Sequence, residues 1–244
     1  MIIDFAIFLT GAFVAAYITG LAGFAFGMVA AAIWLYALTP AQTTTLIVAY
    51  ALLVQGYAVW KLRRAINVRR IIPFIVGSAV GIPAGIAVLN WATASALRTS
   101  VGVLLILFAL YNLLRPNLPQ FKQAGAPLDA TIGVCNGLLG GATGLAGILP
   151  TIWSGMRGWT KEEQRAVFQP TAVATFLMII LWLGGAGTIT ADTARLFVIG
   201  LPALIAGTWL GWKSYGRIDE AIFRKIVLYL LLASGVALAI TTIR

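Results

Sequence analysis

Thr19-Gly20-Leu21-Ala22-Gly23 recurs unchanged as Thr143-Gly144-Leu145-Ala146-Gly147, and each copy interrupts a long apolar run. A helix broken inside lipid gives up backbone hydrogen bonds, so such breaks occur where they line a cavity or meet a ligand. The helices leaving the two breaks are expected to begin near Phe24 to Met28 and near Ile148 to Thr151. Helix N-termini carry unpaired N–H groups and the positive end of the helix dipole. Two of them facing each other would bind an anion without any buried cation. Glycine lets N–H groups approach a ligand closely, Thr19 and Thr143 each add a hydroxyl, and Pro150 fits the first turn of the second outgoing helix. The candidate contacts are therefore Thr19, Gly20, Gly23 and Gly27 in the first copy and Thr143, Gly144 and Gly147 in the second. The competing explanation is that the glycines serve only close helix packing, since glycine is common in membrane helices. Recurrence of all five residues at a helix break favours the ligand.

Few other polar residues fall inside apolar segments. Asn136, Gln55 and Gln169 do, and each is a candidate for ligand contact or for an interhelical hydrogen bond. Arg157 and Arg165 flank the second break and are candidates for an inner mouth that draws anions in. The chain has no histidine and one cysteine, Cys135, so neither a metal site nor a cofactor is expected. An embedded enzyme would need a nucleophile, an acid/base pair or a metal set, and none is legible. A cation channel would show a ring of carboxylates. Here Asp4, Asp129, Glu162, Glu163, Asp192, Asp219 and Glu220 all lie in loops or near segment ends, which also argues against an internal proton relay.

The elements that must position these residues are membrane helices. Of 244 residues, 61% are hydrophobic and only 10% charged, against about 25% charged in a soluble domain. The mean hydropathy is +0.96. The sequence reads as an all-α polytopic membrane protein built from two inverted repeats, residues 1–115 and 128–244, joined by a connector at 116–127. Each repeat is a broken hairpin followed by three full segments: near 41–60, 71–90 and 97–114, then near 165–184, 193–212 and 220–241. The pairs Gly81/Gly85 and Gly207/Gly211 read as packing sites. The opening Met1-Ile2-Ile3-Asp4 lacks the basic region of a signal peptide, so the first apolar segment is expected to be kept.

Charge decides between topologies. If each broken segment crosses the membrane once, the basic loops 157–165 and 213–225 fall outside. If each enters and returns on one side, all basic residues except Arg98, Arg195 and Arg244 lie inside, as the positive-inside rule requires. The incoming arms, Asp4 to Tyr17 and 128–141, support the second reading. Fourteen residues span about 21 Å, short of the roughly 30 Å hydrocarbon core. Both termini are then expected outside. The net charge of +10 is accounted for by these loops and does not imply nucleic acid.

The doubled break and the run Gly155-Met156-Arg157-Gly158-Trp159-Thr160-Lys161-Glu162-Glu163-Gln164-Arg165-Ala166 resemble the sulfite exporter TauE/SafE family of membrane permeases. Many members carry a Gly-Gly-Pro-Pro run at the second break, where this chain has Ala146-Gly147-Ile148-Leu149-Pro150. The resemblance implies a multi-pass protein of the bacterial inner membrane that exports sulfite, thiosulfate or small organosulfonates. A channel or permease for another small anion or metabolite is the alternative. The partners expected are a small anion and the lipid bilayer, and the oligomeric state stays open.

Overall fold

A computed structural model describes residues 2–22, 25–62, 66–114, 121, 124–214 and 220–241. Ten helices account for nearly all of them, with no strand among the described residues: α1 (Ile2–Ala22), α2 (Phe26–Trp34), α3 (Pro40–Leu62), α4 (Val68–Trp91), α5 (Ala94–Leu114), α6 (Ala126–Thr143), α7 (Ile148–Met156), α8 (Lys161–Gly185), α9 (Ala191–Ser214) and α10 (Glu220–Thr241). Five are long and apolar enough to cross a membrane, within α1, α4, α5, α8 and α9. Large apolar side chains stay exposed along them, among them Val76 and Val80 on α4, Leu181 on α8 and Val198 and Ile205 on α9. On a water-soluble surface these would be aggregation sites; in lipid they are the solvent-facing side.

Helix starts show the repetition locally. Before α3, the Thr39 hydroxyl accepts from the Gln42 N–H at 3.2 Å, and Gln42 accepts from the Thr39 N–H at 3.1 Å. Before α8, Thr160 and Glu163 form the same reciprocal box at 3.3 and 2.9 Å. A Thr three residues ahead of Gln or Glu is a helix-start signature that satisfies two orphan donors at once.

The chain divides into two compact units, each drawing on both halves of the sequence. The first comprises residues 1–47, 92–116 and 190–244. In it α1 packs on α9 and α5 on α10. Gly207 and Gly211 lie against the Phe13 and Tyr17 carbonyls, and Gly102 and Gly235 abut each other's helix. The second unit comprises 48–91 and 117–189. In it α4 packs on α6, with Gly77, Gly81 and Gly85 against the Ala130, Val134 and Leu138 carbonyls. Any Cβ at these glycines would collide with backbone, so the packing role read for Gly81/Gly85 and Gly207/Gly211 holds.

Candidate functional site

Both broken segments are hairpins. In the first, Trp34 closes α2 and donates its indole N–H to the Phe8 carbonyl at 3.0 Å, its ring 5.4 Å from that of Phe8. The nine-residue α2, about 13 Å long, thus runs back along α1. In the second, Trp153 of α7 donates to Asp129 Oδ1 at 2.6 Å, in the first turn of α6. The Met156 carbonyl then accepts from Phe121 N–H at 2.9 Å, just ahead of α6. The length argument fails for the first hairpin and is much reduced for the second. At 21 and 18 residues, α1 and α6 measure about 31 and 27 Å, well above the fourteen-residue arms expected. It is the return of each short arm along its partner that makes the hairpin.

The second break is fully described. α6 ends at Thr143, Gly144 turns left-handed at φ 75°, and Gly147 does so again at φ 98° before α7 starts. Asn136, wholly buried, organises it. Its Oδ1 accepts from Gly147 N–H at 2.7 Å, while its Nδ2 donates to Ser78 Oγ on α4 at 3.2 Å and to Thr175 Oγ1 on α8 at 3.3 Å. Gly147, the N-cap of α7, has no side chain to bond the N–H groups of the first turn, and Pro150 in that turn has no N–H to satisfy. α8 lies alongside: a Cβ on Gly147 would stand 3.1 Å from that of Ala172. On the same stretch of α8, Gln169 and Thr171 are buried, and Gln169 Oε1 and Thr171 Oγ1 have no hydrogen-bond partner.

The first break differs. Thr19 and Gly20 lie inside α1, and Gly20 packs on α9, where an added Cβ would meet the Thr208 carbonyl at 2.6 Å. Gly23 lies outside the described residues. Gly27 is the second residue of α2, and Ala25, at φ 80°, takes the left-handed position ahead of it. The two copies therefore do not break at the same residue.

The hydroxyls expected to face a ligand are already engaged. Thr19 Oγ1 donates to the Ala15 carbonyl at 2.8 Å, and Thr143 Oγ1 donates to that of Leu139 at 2.7 Å while accepting from Leu145 N–H at 3.2 Å. Threonine in a helix back-bonds to the preceding turn when no better acceptor is offered. Gln55 is half-buried on α3.

The anticipated mouth gathers at one end of the second unit. Arg157 donates to the Phe121 carbonyl at 3.1 Å and to that of Ala124, and its guanidinium lies 3.7 Å from Asp129 Oδ2. Arg70 pairs with Glu163 at 2.8 Å, and both arginines stack on Trp159, at 5.2 and 5.1 Å. Three stretches expected on one side of the membrane thus meet here, through Arg70, Phe121 and Arg157. Arg165 is exposed on α8. Sequence reasoning passed over Asp129 as a loop acid, yet it is buried under Trp153 and Arg157. Ser78 and Thr175 were also missed; lone hydroxyls inside apolar helices were the only signal.

A family model described as Sulfite exporter TauE/SafE matches residues 7–238. No curated protein and no solved structure matches the chain.

Proposed function

The chain belongs to the sulfite exporter TauE/SafE family, and from that premise we propose that it carries sulfite or small organosulfonates outward across a bacterial inner membrane, binding them at its helix breaks. One observation carries the reading. The uncapped start of α7 lies beside α8 at Gly147–Ala172, and that stretch of α8 holds two buried polar atoms without partners, on Gln169 and Thr171. Free N–H groups at a helix N-terminus attract an oxyanion, and a buried polar side chain without a partner is expensive unless a ligand or water completes it.

In this reading Gly147 brings backbone close to the anion, Thr171 donates its hydroxyl, and Gln169, turned about its terminal torsion, donates its NH₂. Asn136 and Thr143 shape the break, and Arg157 and Arg70, each beside a carboxylate, brace the inner mouth. Neutral donors bind an anion without trapping it, as a carrier requires; a lone buried arginine would hold it too tightly. Export then needs no proton relay. A potential of 100 mV, negative inside, favours exit of a monovalent anion by about 2.3 kcal/mol.

The test is flux of radiolabelled sulfite from proteoliposomes at an imposed potential. The parent should release it faster than empty liposomes, and Gln169→Leu with Thr171→Val should raise KM about tenfold or more, the effect of losing hydrogen bonds to a charged group. An unchanged KM in the double variant would place the anion elsewhere.

A further inference from the structure

Thr-Gly-Leu-Ala occurs in two backbone conformations. At Thr19 to Ala22 all four residues are helical and close α1. At Thr143 to Ala146 the helix stops at the threonine, Gly144 is left-handed, and the Leu145 N–H turns to the Thr143 hydroxyl. Local propensity is the same in both copies, so the surroundings make the difference.

The surroundings differ in three places. Aligning Thr19 with Thr143 sets Ala12 opposite Asn136. Aligning Gly81 and Gly85 with Gly207 and Gly211 sets Leu204 opposite Ser78, and aligning the capping threonines Thr39 and Thr160 sets Val54 opposite Thr175. Every member of the polar triad around the second break thus has an apolar counterpart. The triad is satisfied throughout: Ser78 donates onward to the Gly133 carbonyl at 3.1 Å and Thr175 to that of Thr171 at 2.8 Å. That leaves the Asn136 carboxamide held in place, with Oδ1 presented to Gly147. A buried N–H released from a helix must find another acceptor. The second copy offers one, and at Ala12 the first does not.

We infer that Asn136 is a positioning residue that sets the state of Thr-Gly-Leu-Ala, holding the second copy unwound so that α7 starts afresh at Ile148 and the N–H groups of its first turn stay available to an anion. The first copy, with Ala12 in its place, shows Thr-Gly-Leu-Ala wound, at Thr19 to Ala22. The anion's part in this rests on the function proposed above; the conformational part does not.

Hydrogen exchange by mass spectrometry on the full-length protein tests it without substrate. Asn136→Leu keeps the bulk and removes the acceptor, so exchange within 144–147 should slow as the helix extends, by about tenfold at Ala146, the position that gains a hydrogen bond where Gly144, Leu145 and Gly147 only exchange one for another. Asn136→Asp still offers an oxygen to Gly147 N–H and should keep the parent's pattern. In proteoliposomes the Leu variant should raise the sulfite KM more than it changes kcat. Should Asn136→Leu fail to fold, Ser78→Ala combined with Thr175→Val frees the carboxamide and should slow exchange at 144–147 to a smaller degree. Parent-like exchange at 144–147 in the folded Leu variant, or in the Ser78/Thr175 pair if Leu does not fold, would overturn the inference. Slowed exchange in a protein that moves no sulfite would leave it standing and remove the proposed function instead.

Discussion

Gly147→Ala should be the most informative single-methyl change in this chain. Gly147 sits at φ 98°, in the left-handed region, at the point where α7 begins and Asn136 takes its N–H. A side chain in that region costs roughly 1–2 kcal/mol. The new Cβ would also stand 3.1 Å from that of Ala172, closer than ordinary van der Waals contact, so α8 or the break must yield. A loss of about 2 kcal/mol follows, or about 4–8 °C in melting temperature for a chain of this size. The matched control is Gly155→Ala in the same short helix. Nothing lies within 4 Å of its Cβ, and alanine favours a helix over glycine by up to about 1 kcal/mol. Thermal unfolding in detergent and sulfite flux should be read on both proteins. Gly147→Ala should melt lower and raise KM several-fold; Gly155→Ala should melt no lower and transport normally. Equal melting and transport in the two would refute the claim that the left-handed glycine shapes the site.

Three further outcomes follow from the geometry. Ala25→Gly relieves a left-handed alanine at the start of α2; after glycine's own entropy cost it should stabilise by about 0.5–1 kcal/mol, a rise of about 2 °C on thermal unfolding. Trp153→Phe removes the indole donor from buried Asp129 and should cost about 1–3 kcal/mol, seen as a lower melting temperature with Arg157 still beside the carboxylate. In a Cys135→Ala background on intact cells, an impermeant thiol reagent should label Ala186→Cys and spare Asn67→Cys; the reverse would overturn the inward placement of the basic loops.

Much of the architecture was legible because lipid leaves few choices. Apolar segments had to be helices, so α3 to α5 and α8 to α10 fall close to the segments read from composition. Glycines at four-residue spacing marked α4 and α9 as closely packed helices, though not α6 and α1 as their partners. The break positions were less legible. A pentapeptide cannot report whether an acceptor waits several turns upstream, so Thr19 and Gly20 looked like break residues although they end a helix on α9. Thr143 looked like a ligand donor because a sequence does not reveal that its proton goes to Leu139. Asn136 was found, but its task was not, since Ser78 and Thr175 reach it from helices distant in sequence. The burial of Asp129 was hidden for the same reason: its cover comes from Trp153 and Arg157, on the far side of the break.

Release of radiolabelled sulfite from proteoliposomes, with an imposed potential negative inside, tests the central claim most directly. The account predicts saturable efflux from the parent, accelerated by the potential, with KM raised about tenfold in the Gln169→Leu, Thr171→Val protein. Efflux no faster than from empty liposomes, or a double variant indistinguishable from the parent, would contradict it.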